Sequence, residues 1–179
     1  MGLDIIFQKK NKSYDAEKAD KLEKQIAKLD KKYKTAKTEA TKQKILDKLS
    51  PLYKEEENNK KYLEVLYFRK VNFLLPFFNY EDNCSVISIT KEQVEELVKR
   101  CNYVLDIYND LTNNDKELDC FELYNKVRDI LPTQAGFFFG TTDYNEWYIK
   151  AIEYVKDEFE KLLNDFDFEN EELFMTCWW

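Results

Sequence analysis

Four cysteines, Cys84, Cys101, Cys120 and Cys177, are the strongest nucleophiles in this chain, and no histidine accompanies them. The missing imidazole excludes serine-type triads and histidine-ligated metals, and it leaves a cysteine nucleophile without its usual base. No two cysteines fall within the C-x2-4-C spacing of a metal site. The residue types therefore predict no catalytic residues, no metal and no cofactor. The thiols read as reduced and mostly buried, with Cys101 on an apolar helix stripe and so in the core. The acidic pairs Glu95/Glu96 and Glu171/Glu172 read as solvated faces.

Two stretches look less like packing. In Gly136-Phe137-Phe138-Phe139-Gly140, two glycines flank three phenylalanines. This is either a strand between helical layers or a loop leading into a helix N-terminus at Thr142-Asp143, where an anion could sit. Its spacing matches neither a phosphate loop nor a dinucleotide fingerprint. The other stretch holds Arg69, Lys70 and Asn72 in an otherwise apolar run. On a helix, Arg69 and Asn72 would be surface neighbours, serving as a structural hub or as part of a small-ligand pocket.

The elements that must position these residues follow from periodicity. Leu3–Gln8 reads as a strand. Ala19, Leu22, Ile26, Leu29, Tyr33 and Ala36 form a narrow seam at alternating three- and four-residue spacing. It resumes at Ile45, Leu46, Leu49, Leu52 and Tyr53, which predicts an antiparallel helical hairpin over residues 14–62. Its reversal lies either near residue 38 or at Ser50-Pro51, which resembles a helix start. Tyr62–Phe78 is apolar nearly all round and predicts a buried helix ended by Pro76. Ser85–Ile89 reads as a strand. Thr90-Lys91-Glu92-Gln93 is a capping box opening a helix over 91–109. Leu111–Asp115 reads as a turn, Leu118–Leu131 as a helix stopped by Pro132, Asp143-x-x-Glu146 as the cap of a helix over 143–164, and Leu173–Trp179 as a strand.

The expected fold is α+β. A small, mostly antiparallel sheet (residues 3–8, 85–89, a candidate strand at 136–140, and 172–178) is packed by helices, and a projecting antiparallel helical hairpin completes it. A parallel α/β sheet ranks second. The expected domains are a body of residues 1–13 and 63–179 and an inserted Lys-rich arm of residues 14–62.

Charge divides the chain the same way. Residues 1–62 carry 17 Lys and 11 acidic residues, net +6, whereas residues 63–179 carry a net −13. The acidic body is unsuited to phosphate contacts, so direct nucleic-acid binding is expected nowhere except through the basic arm. No signal-peptide or membrane-span pattern is visible, and Ile6 stands where a myristoylation motif needs Ser or Thr. The expected compartment is cytoplasmic.

The opening Met1-Gly2-Leu3-Asp4, the segment Tyr67–Asn72, the block Leu131–Tyr148 and the end Cys177-Trp178-Trp179 resemble a family of small uncharacterised proteins of bacteriophages and prophages. The resemblance covers residues 1–10 and 62–179, with the Lys-rich arm as an insertion. It implies a viral accessory protein in a bacterial host's cytoplasm. The first functional expectation is therefore a non-enzymatic protein that binds and inhibits a host factor. Such targets include nucleic-acid-handling effectors and immune effectors such as CRISPR nucleases. The contact is either the arm, through Lys21, Lys24, Lys28 and Lys31, or the acidic body. The alternative is a binder or enzyme for a nucleotide or phosphate metabolite. Its pocket would be formed by Arg69, Asn72, Thr133, Gln134, Gly136, Gly140 and Tyr144.

Overall fold

The computed structural model describes residues 2–113 and 117–179, so the expected turn at Leu111–Asp115 lies partly outside the described residues. The chain forms β1 (Asp4–Lys10), α1 (Ala16–Thr35), α2 (Glu39–Asn58), β2 (Tyr62–Arg69), α3 (Leu74–Phe77), β3 (Val86–Ile89), α4 (Lys91–Thr112), α5 (Cys120–Val127), α6 (Glu146–Asp165) and β4 (Leu173–Trp178). The class is α+β. The four strands form one sheet in the order β2-β1-β4-β3. Both β1 and β3 run antiparallel to β4. Hydrogen bonds from Lys70 N to Leu3 O and from Asn11 N to Lys61 O bracket β1 and β2 in the antiparallel sense.

Two compact units emerge, one of residues 1–9 and 64–179 and one of residues 10–63. In the larger unit, alternate strand residues enter the core. Ile5 and Phe7 of β1, Leu173, Met175 and Cys177 of β4, Ile89 of β3 and Phe68 of β2 are buried. They meet the stripe of α6, where Phe159 stacks on Phe68 at 5.6 Å and receives the edge of Phe7 at 5.0 Å. Helix α4 packs along α6 and contributes Val94, Leu97, Cys101 and Val104. Its start is the expected capping box, with Thr90 and Gln93 each closing on the other's backbone N–H.

In the smaller unit, α1 and α2 pack on each other through Leu22, Ile26 and Leu49. Paired positions Asp15–Asn59 and Lys18–Glu55 establish the antiparallel sense. Asn59 is a buried clasp: its Oδ1 accepts from Asp15 N at 2.9 Å and its Nδ2 donates to Asp15 O at 2.8 Å. The reversal is at residues 36–38, and Thr38 caps α2. Ser50-Pro51 does not start a helix. Pro51 lies within α2, because the apolar seam continues from Leu49 to Leu52 and outweighs the amide bond that proline removes.

Three further expectations are corrected. Tyr62–Phe78 is not one helix but strand β2 followed by the single turn α3. Aromatic and β-branched residues of the run suit a pleated surface, and the all-round apolarity arises from two half-buried faces. Residues 136–140 form a loop, not a strand: Phe137 is 93% exposed while Phe139 is buried. The cap of α6 is Asn145, whose Oδ1 accepts from Trp147 N and Tyr148 N. Asp143 instead accepts from the Thr141 hydroxyl.

Candidate functional site

Two features of the larger unit could engage another molecule. The first is a cavity of about 310 Å³ where the 70–73 segment meets the 140–143 loop and the start of α6. Asn72, buried, ties the two segments together by donating to Phe139 O at 3.3 Å and Thr141 O at 2.9 Å. The approach is close. Gly140 has φ +92°, and a Cβ there would stand 3.3 Å from Cβ of Lys70. Lys70 itself has φ 60°, a conformation uncommon outside glycine. Lys70 and Asp143 bring opposite charges to the cavity wall, and neither enters an ion pair among the described residues. Trp147 and Phe73 supply aromatic surface, and the Thr133 hydroxyl donates to Thr142 O.

Of the expected ligand contacts, Asn72, Thr133 and Gly140 line this cavity. Tyr144 lies behind it, its hydroxyl accepting from Thr133 N at 3.0 Å. Gly136 faces the Phe139 ring, which occupies the space a Cβ would need. Neither Gln134 nor Gly136 lines the cavity. Arg69 is elsewhere. It and Asn72 do not share a helix, since Arg69 ends β2 and Asn72 lies in the loop before α3. Sequence reasoning missed Asp143 and Trp147 as wall residues. Reading Asn145 rather than Asp143 as the cap of α6 would have left Asp143 available.

The second feature is the sheet face opposite the core. Residues that alternate with the buried ones carry Asp4 and Ile6 of β1, Thr176 and Trp178 of β4, Tyr67 and Arg69 of β2, and Val86 of β3. Asp4 is in register with Trp178. On its other side it pairs with the Arg69 guanidinium at 3.8 Å and accepts from the Tyr67 hydroxyl. That hydrogen bond raises the Tyr67 pKa above its ordinary value. Trp178, Asp4 and Arg69 thus form one transverse row, roughly 10 Å between the outer strands. Trp178 is 63% exposed, and Tyr67 and Val86 are also exposed. Residues 62–69 show no clear period of two, because large apolar side chains stand on both faces of the strand, so the sequence carries little signal for this face.

The expected partner-binding lysines, Lys21, Lys24, Lys28 and Lys31, are exposed on α1 of the smaller unit. Two thiols, Cys101 and Cys177, are buried, and burial pushes both up to about 12. Cys84 and Cys120 are exposed, which corrects the expectation of mostly buried thiols. Among the described residues no group of three metal-ligating side chains gathers, and no helix is long and apolar enough to cross a membrane.

Comparison with known proteins finds no match among family models, curated proteins or solved structures.

Proposed function

We propose that this protein acts by binding another protein, as a phage-type accessory protein that occupies and inhibits a host factor. The observation that carries the reading is the row Trp178–Asp4–Arg69 with Tyr67 beside it. Trp, Tyr and Arg are the three side chains that most often dominate binding energy at protein interfaces. Here they share one face of a rigid sheet, so little conformational freedom is lost when a partner closes on them. The Asp4 carboxylate holds the Tyr67 hydroxyl and the Arg69 guanidinium in place before contact. The phage resemblance supplies the context of a bacterial host.

The test is capture from bacterial lysate with the wild-type chain and with a Trp178→Ala/Tyr67→Ala variant. Both side chains are exposed, so the variant keeps the core. A host protein retained by the wild type and weakened at least about 10-fold by the variant supports the reading. Equal retention by both chains, or no retained protein, refutes it.

A second reading is favoured by Lys70 and Asp143, neither in an ion pair among the described residues, at the 310 Å³ cavity beside Trp147. Those charges and that ring suit a small charged metabolite, and a thermal-shift screen tests this. A compound that stabilises the wild type but neither Lys70→Ala nor Asp143→Asn would establish it. No stabilising compound would dismiss it.

A further inference from the structure

The smaller unit carries its charge unevenly. Residues 27–48, at the reversal end of the hairpin, hold eight Lys and three acidic residues, whereas the rest of residues 10–63 is nearly balanced at +1. At 100° per residue, Leu22, Ile26, Leu29 and Tyr33 of α1 turn toward one side. Positions 21, 24, 28, 31, 32 and 35 fall within an arc of about 100° away from that side. Every one of them is lysine except Thr35, and all six are exposed; Glu17, one turn before Lys21, is the acidic residue of the same arc. The stripe from Lys21 to Lys32 is about 16 Å long.

The lysines of this stripe repel one another. Pairs three and four apart, such as Lys28 with Lys31 and Lys32, are like-charged neighbours that weaken a helix by a few tenths of a kcal/mol each. Elsewhere the hairpin offsets its charge: Lys18 meets Glu55, Lys42 meets Glu39 and Lys60 meets Glu57. On the stripe, Lys24 alone has an acidic partner, Asp20. Lys21, Lys28, Lys31 and Lys32 make no ion pair among the described residues.

We infer that this stripe is a binding surface for the phosphate backbone of a nucleic acid. A protein partner is disfavoured by what the surface lacks. Protein interfaces are anchored by apolar or aromatic side chains in a desolvated centre. Along the stripe, from Lys21 to Thr35, no large apolar residue is exposed; Leu46 and Tyr53, the exposed apolar residues of the hairpin's helices, lie on α2. Residues 10–63 hold 16 Lys and no Arg, so nothing there can grip a carboxylate bidentately. Regularly spaced point charges on flexible stems suit a repeating line of phosphates and carry no sequence readout. Binding also relieves the repulsion within the stripe. The body, at net −13, takes no part in the contact. This inference is independent of the proposed protein partner and is tested without one.

The test uses the purified full chain and labelled duplex DNA, single-stranded DNA and RNA of mixed sequence, followed by anisotropy across a salt series. The comparison variant carries Lys21→Gln, Lys28→Gln, Lys31→Gln and Lys32→Gln. Glutamine keeps helix propensity close to that of lysine, and circular dichroism checks the hairpin. A control carries Lys44→Gln, Lys48→Gln and Lys54→Gln. The expected result is sequence-indifferent binding at about 50 mM salt that falls steeply by about 200 mM. On duplex DNA, the four-lysine variant should flatten the logarithmic salt slope by about 3 to 4, and the control by less. No binding of any nucleic acid at about 50 mM salt, or equal losses in the variant and the control, would overturn the inference. So would polyglutamate displacing the nucleic acid at equal charge, which would make the stripe a surface for acidic protein segments.

Discussion

Single residues divide this protein into groups that are sealed and groups that are offered. Burial raises the Cys101 and Cys177 thiols and the Tyr148 hydroxyl, whose hydrogen donates to Leu131 O at 2.9 Å. Two thiols should therefore react with a disulfide reagent at pH 8 in the native state, Cys84 and Cys120, and all four after denaturation. More than two fast thiols would show that the core around α4 and β4 opens readily. The same shifts set a pH dependence. Their folded pKa values lie above the unfolded ones, so their contribution is fully present below about pH 9. It declines at more alkaline pH, where these three groups release their protons in the unfolded chain but not in the folded one. Denaturant midpoints at pH 7 and pH 10 should show the loss, and an unchanged midpoint would contradict it. Asn72 is the other sealed residue. Asn72→Ala strips Phe139 O and Thr141 O of a donor and should cost about 1 to 3 kcal/mol, with faster hydrogen exchange in the 139–142 loop.

At the scale of elements, the contest between local preference and packing is clearest at Pro51. A proline inside α2 lacks the amide that would bond Asp47 and costs about 3 kcal/mol against alanine. Pro51→Ala should slow exchange across residues 39–58, and an unchanged or faster rate would mean that α2 is kinked to suit the proline. Much of this level was legible in the sequence. The capping box at Thr90, the stripes of α4 and α6, the strand at Leu173 and the seam through Leu22 and Ile26 all announced themselves by spacing. What failed has a common cause: a run that is apolar on most positions hides its period. Tyr62–Arg69 covers both faces of a strand with large side chains, so strand and helix look alike until the neighbouring β1 is known. The candidate site suffered accordingly. A helix over 62–78 makes neighbours of Arg69 and Asn72, whereas the strand sets Tyr67 and Arg69 beside Asp4. Asn59, which clasps the start of α1, left no signal because its partner is a backbone group 44 positions away.

For the whole molecule, one core and one hairpin carry opposite charges, and the aromatic cluster holds the larger unit together. Phe159 touches Phe7, Phe68 and Phe78 and is fully buried. Phe159→Ala should cost about 3 to 5 kcal/mol by cooperative loss of the sheet–helix core. Denaturation followed by near-ultraviolet circular dichroism checks it, and a loss under about 1 kcal/mol would mean the core refills the cavity. The open face of the sheet is the proposed seat of a protein partner. Hydroxyl-radical footprinting of the captured complex, read residue by residue by mass spectrometry, tests it most directly. Trp178 and Tyr67 should become protected while Phe137 and Trp147 stay as reactive as in the free chain. Protection confined to Trp147 and the cavity wall, with Trp178 unchanged, would contradict it.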